Sequence, residues 1–169
     1  RELDEFDLAM FEQPLAHDDL LDHARLQAAV QTPVCLDESI NGPRAAAQAI
    51  QLQSCRYVNI KPGRVGGLTN ALSIHDRCRD AGLPCWVGGM LESPVGASIC
   101  ISLAMLDNFT YPADIFPSDR FYPEDLGDPP IRLSRSADGL PIVGAPARLP
   151  EPVPPRLDRQ TVERAVVSA

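Results

Sequence analysis

The chain has 169 residues, a formal net charge of −8 and a pI near 4.8, with 44% hydrophobic and 5% aromatic residues. That length suits one domain with its own core, and the acidity excludes a phosphate-backbone binder, which needs a basic face. No apolar run approaches the roughly 18 residues that would span a bilayer, so neither nucleic acid nor membrane is an expected partner.

In chain order, Phe6–Phe11 reads as an apolar strand ending in Glu12 before Pro14. Asp18 and Asp19 are N-cap residues for a helix with apolar positions from Leu20 to Val30, which Thr32-Pro33 stops. Val34-Cys35-Leu36 is a short strand ending at Asp37. Asn41 is the expected cap of a helix with Pro43 in its first turn, running to about Leu52. Tyr57–Ile60 is a strand ending at Lys61, Leu68–Ala81 a helix closed by Gly82, and Cys85–Val87 a strand ending in Gly88-Gly89. Pro94–Leu106 is an apolar helix, and Phe109–Tyr111 leads to a further strand near Asp114-Ile115.

Strand ends therefore recur roughly every 25 residues, alternating with helices, which predicts βα units on a parallel sheet buried on both faces. Polar groups and glycine pairs at the strand C-termini favour a (β/α) barrel over a doubly wound sheet, and Gly63–Gly67 does not fit a dinucleotide-binding G-x-G-x-x-G. Five such strands cannot close an eight-stranded barrel, so residues 1–127 are expected to form its C-terminal part. Eleven of the 17 prolines lie between Pro112 and Pro155, which marks 128–169 as an irregular tail; Leu157–Val167 reads as a short terminal helix. The chain opens on Arg1 and not Met, with no basic start leading into an apolar stretch, so a piece of a longer protein without a signal peptide is expected. Five cysteines without a C-x-x-C pair point to reduced core thiols in a cytoplasmic protein, and exclude a zinc or disulfide framework.

Glu12 and Asp37 end consecutive strands, where two carboxylates can share a hard cation such as Mg²⁺ or Mn²⁺. Taken singly each would more often cap a helix or loop; in register, and followed by Lys61, they favour a site. Lys61 is pinned at a strand end and can act as a base or as a Schiff-base nucleophile; its bland alternative is a surface lysine paired with Asp37. The glycine stretches 63–67 and 88–89 allow close approach of a ligand. His17, His23 and His75 are expected to be solvated or structural, and Glu92 is either a pocket residue or a partner of Arg64.

Phe11-Glu12-Gln13-Pro14-Leu15, Cys35-Leu36-Asp37-Glu38-Ser39-Ile40, Asn59-Ile60-Lys61-Pro62-Gly63-Arg64-Val65-Gly66-Gly67-Leu68 and Gly88-Gly89-Met90-Leu91-Glu92 occur in that order. Over about residues 6–127 the chain closely resembles the o-succinylbenzoate synthase and N-acylamino acid racemase branch of the enolase superfamily. The resemblance implies a modified (β/α)₇β barrel carrying a capping domain, and Mg²⁺ held by three carboxylates. Glu12 and Asp37 match the second and third of these; Glu38, whose side chain alternates to the other side of the backbone from Asp37, is expected to support the site and not to ligate the metal. Lys61 matches the catalytic lysine opposite a Lys-x-Lys motif that this chain does not contain. Asn59, Gly89, Met90, Leu91, Glu92 and Ile115 are the expected substrate contacts. Val95-Gly96-Ala97-Ser98 stands where many relatives carry Gly-Arg, which tilts the expectation toward the synthase.

The implied activity is a syn dehydration, through an enolate, of a cyclohexadienyl carboxylate in menaquinone biosynthesis. Racemisation of an N-acyl or N-succinyl amino acid is the alternative on the same fold. A Schiff-base aldolase using Lys61 would leave Glu12 and Asp37 without a joint purpose. Residues 1–169 alone are expected to be inactive. Besides a small carboxylate substrate, other copies of the chain are partners the sequence allows.

Overall fold

In the computed structural model, which describes residues 2–122, 125–143 and 148–153, four parallel strands lie side by side in chain order. They are β1 (Phe11–Glu12), β2 (Val34–Leu36), β3 (Tyr57–Ile60) and β4 (Cys85–Val87), separated by helices α1 (Leu20–Ala29), α2 (Pro43–Leu52), α3 (Pro62–Val65) and α4 (Leu68–Asp80). The register sets Glu12 beside Cys35, Leu36 beside Val58 and Asn59 beside Trp86. Strands β2 and β4 are buried throughout, so their continuous apolar runs serve both faces of the sheet.

Local signals explain most boundaries. Asp19 accepts a hydrogen bond from Asp22 N at 2.8 Å and so starts α1. The residue before α2 is Gly42 and not Asn41, because Pro43 at the first helical position supplies its own fixed φ and the Gly42 carbonyl already takes the Ala46 N–H at 3.2 Å. Between α3 and α4, Gly66 has φ +88°, a backbone only glycine adopts without strain, and this lets the chain reverse within one residue.

Two strand expectations fail. Residues 2–6 form a 3₁₀ turn, and only Phe11–Glu12 pairs as a strand. The cause is Asp4, whose carboxylate takes the Gln31 and Thr32 N–H groups at 3.1 and 2.9 Å and the Thr32 hydroxyl at 2.7 Å, followed by Asp7 at φ +49°. Near Asp114-Ile115 no extended strand forms, and Asp114 alone is a bridge residue. A separate parallel bridge joins Cys85 to Phe109, with Asn108 O accepting from Cys85 N at 3.0 Å.

The chain divides into two compact units, Arg1–Gly88 with Leu106–Pro112, and Gly89–Met105 with Ala113–Ala169. The core of the first gathers Val34, Leu36, Val58, Ile60, Ile74 and Val87. All five cysteines are free and buried, as expected, and Trp86 Nε1 donates to Cys35 Sγ at 3.2 Å. His23 and His75 are buried structural groups: His23 Nδ1 lies 2.6 Å from Asp19 O, and His75 stacks on Phe109 at 5.1 Å.

The second unit holds α5 (Pro94–Ala104), capped by Ser93, with Ala97 and Ile101 packed against Ile131, Ile115 and Val143. Its proline-rich part is not wholly irregular. Strand β5 (Gly127–Asp128) pairs with β8 (Glu151–Pro152), and β6 (Leu133–Arg135) with β7 (Pro141–Val143), both antiparallel. Leu157–Val167 lies outside the described residues. Among the described residues no helix is long and apolar enough to cross a membrane.

Candidate functional site

Parallel strands deliver their C-terminal residues to one edge of the sheet, and here those residues are Glu12, Asp37 and Lys61. Lys61 Nζ lies 2.7 Å from Asp37 Oδ2, with side chains only 17% and 7% exposed. Arg64, one turn further on in α3, ion-pairs with the other oxygen of Asp37. The lysine is thus paired with Asp37, as its bland alternative supposed, yet it sits in a nearly closed setting and not on the surface. Removing one member of such a buried pair strands a charge, which typically costs about 3–5 kcal/mol.

Arg64 also donates from Nη2 to Asn59 O at 2.6 Å and from Nε to Ile40 O at 3.0 Å. It therefore joins the ends of β2 and β3. Burial pulls its guanidinium below the usual 12.5, to about 10. The expected alternative partner, Glu92, instead accepts from Met90 N at 2.5 Å within the second unit.

Glu12 is held from β3, where Asn59 Nδ2 donates to Glu12 Oε1 at 2.8 Å. Gln13, at φ +40°, turns its carboxamide across to the loop after β2. Its Oε1 accepts from Asp37 N at 2.9 Å and Ser39 N at 3.2 Å, while Nε2 donates to Ser39 Oγ at 2.7 Å and Leu15 O at 3.2 Å. Glu12, Gln13, His17, Asp37 and Glu38 line one open depression of about 460 Å³. Glu38 is exposed there, next in sequence to the buried Asp37.

Of the expected site residues the structure thus gathers Glu12, Asp37, Glu38, Asn59 and Lys61 in the first unit. Gly89, Met90, Leu91, Glu92 and Ile115 belong to the second unit. Within it Met90 and Leu91 are exposed, and Ile115 packs on the Ala97–Ile101–Ile131 cluster. Sequence reasoning missed Gln13, and it named Arg64 only as a partner for Glu92. The Lys61–Arg64 spacing, one helical turn from a strand end, was the available sign for Arg64.

Among the described residues no group of three or more His, Cys, Asp or Glu side chains gathers as a metal cage. Two carboxylates bordering one open depression nevertheless suit a hard, oxygen-seeking cation that retains water ligands.

A family model described as enolase C-terminal domain-like matches residues 1–138. The N-succinylamino acid racemase of Amycolatopsis sp is 45% identical over 167 residues, 99% of this chain and 45% of the relative. The o-succinylbenzoate synthase of Geobacillus stearothermophilus is 53% identical over 131 residues, 78% of this chain and 35% of the relative. Among solved structures, a dipeptide epimerase from Enterococcus faecalis, complexed with Mg and the dipeptide L-Leu-L-Tyr, superposes with a TM-score of 0.64 at 29% identity, covering 68% of this chain and 32% of that one. The chain therefore spans less than half the length of these relatives.

Proposed function

Given that the chain belongs to the enolase C-terminal domain-like family, we propose that this protein carries out a Mg²⁺-assisted dehydration of a cyclohexadienyl carboxylate, of the o-succinylbenzoate synthase type, in menaquinone biosynthesis. The observation that carries the proposal is the meeting of Lys61 and Asp37 at 2.7 Å, with Asp37 and Glu12 bordering the same depression. In the overall reaction the substrate loses the proton α to its carboxylate and the neighbouring hydroxyl, which leave together as water.

Glu12 and Asp37 would hold the ion. When bound, it supplies positive charge that makes the α-proton acidic enough to remove. Lys61 presents an ammonium toward the negative charge that develops as that proton leaves. Arg64 and Gln13 keep Asp37 in place, and Asn59 does the same for Glu12. Burial of Asp37 strengthens its interactions with Lys61 and Arg64. Residues 1–169 contribute two of the three carboxylates that the family resemblance implies, so on their own they are expected to bind Mg²⁺ weakly and to turn over nothing. Five free buried thiols support a reducing compartment such as the cytoplasm.

A racemase reading is favoured by the 45% identity that extends over 167 residues of the N-succinylamino acid racemase. The same lysine would then deliver or remove the α-proton without loss of a hydroxyl. The deciding experiment assays the intact protein, with Mg²⁺, on both substrate classes. Dehydration at least tenfold more efficient in kcat/KM supports the synthase. Racemisation without dehydration replaces it, and activity that survives removal of divalent cations overturns both.

A further inference from the structure

Asn59 is 1% exposed and its carboxamide is only half used. Its Nδ2 is committed to Glu12, while its Oδ1, also buried, has no hydrogen-bond partner among the described residues. A buried carbonyl oxygen left so has lost its hydration without recompense, and such an atom asks for a donor. The adjoining residue is Gly88. A Cβ added there would fall on Asn59 Oδ1 and within 2.5 Å of Lys61 Cε, so those two atoms crowd the same point in space. Only a residue without a side chain at 88 lets the lysine and the carboxamide share that room.

We infer that the Lys61 ammonium has two seats, one on Asp37 Oδ2 and a second on Asn59 Oδ1, and that Gly88 keeps the second one open. This rests on the site proposed above, in which Asp37 must turn an oxygen to a cation. In this structure Lys61 occupies Oδ2 and Arg64 the other oxygen, so a cation reaches Oδ2 only when the lysine moves off it. A lysine displaced from it into a buried setting without an acceptor would be a stranded charge. Asn59 Oδ1 offers the acceptor, and it needs only rotation about the last bonds of the lysine chain. Asn59 thus links the two halves of the exchange: its Nδ2 holds one carboxylate while its Oδ1 receives the ammonium released by the other. In this role Asn59 and Gly88 are positioning residues.

The test is a double-mutant cycle on the intact protein, reading Mn²⁺ affinity by titration and not turnover. Asp37→Asn comes first: an unchanged affinity overturns the cation site and the second seat with it, whereas a loss of tenfold or more leaves the site standing for the cycle to decide. Gly88→Ala should then weaken Mn²⁺ about tenfold when Lys61 is present, and less than twofold in the Lys61→Met background, where no ammonium needs a seat. Equal losses in both backgrounds mean that the added methyl merely distorts the site, and no loss in either means that the seat is not used; both results overturn the inference. Should Gly88→Ala fail to fold, a crystal structure of the unaltered protein with Mn²⁺ decides. Lys61 Nζ is expected within hydrogen-bond distance of Asn59 Oδ1, and Lys61 still on Asp37 with the ion bound overturns the second seat.

Discussion

Replacing Gln13 by Met keeps the length of the side chain and deletes its hydrogen bonding. Two backbone N–H groups, those of Asp37 and Ser39, then lose their acceptor, and both residues are 5% exposed or less. Full desolvation of an unpaired donor costs about 1–3 kcal/mol; the depression beside Gln13 admits water, so the lower end applies to each. The bonds from Nε2 to Ser39 Oγ and Leu15 O are less enclosed and add about 0.5 kcal/mol apiece. The expected destabilisation is therefore roughly 2–3 kcal/mol, which moves a urea midpoint by about 1 M at an unchanged slope. Urea titration of the intact protein followed by far-ultraviolet circular dichroism measures it. Gln13→Ala should cost a little more, through lost packing. A Gln13→Met protein as stable as the parent would refute the idea that this carboxamide fastens the loop after β2 to the end of β1.

Lys61→Ala should abolish turnover of the intact protein while leaving its circular dichroism spectrum unchanged; surviving turnover would make the lysine a purely structural partner of Asp37. Burial pushes the Cys35 and Cys100 thiols up to about 12 and Cys55 upward as well, while Cys85 is raised first by its hydrogen bond with Cys78 and then by burial. The native protein at pH 8 should then carry no iodoacetamide label on any of these four, and labelling of one at the rate of a free thiol counts against the packing described. Asp4, drawn down from 3.8 to about 2 by the Thr32 and Gln31 donors, is ionised in the fold at pH values where the unfolded chain is already protonated. Its contribution is complete above about pH 4 and fades as pH falls through about 2. A carboxyl-carbon NMR titration should place its midpoint near 2, and Thr32→Val should move it back upward; a midpoint near 3.8 in the parent contradicts the capping contact.

The strands and the three polar residues at their ends were legible because each rests on a local cause. An apolar run bounded by proline or glycine is a buried strand wherever it occurs, and the residue that follows it must emerge at the sheet edge. Glu12, Asp37 and Lys61 could be placed in this way. Phe6–Phe11 could not, because its apolar content resembles a strand while its fate is decided by Asp4 reaching residues 27 and 28 positions away. Gln13 and the partner of Arg64 were hidden for the same reason. Their hydrogen bonds run to atoms 24 residues off, which no spacing rule announces. Proline density in the second unit suggested irregularity, yet two antiparallel pairs form there, since proline is tolerated at strand ends and edges.

Trp86 is the only tryptophan of the chain, 7% exposed, its indole nitrogen against the Cys35 sulfur and its ring edge-on to Tyr111 at 5.9 Å. An indole shielded from water emits toward the blue, and a thiol in contact dims that emission through excited-state electron or proton transfer. Opening of β4 from β2 and β3 would release both constraints together, brightening the light and shifting it red. Because Trp86 is paired in register with Asn59, the strand that carries the carboxamide and the lysine has an optical probe already built in beside it.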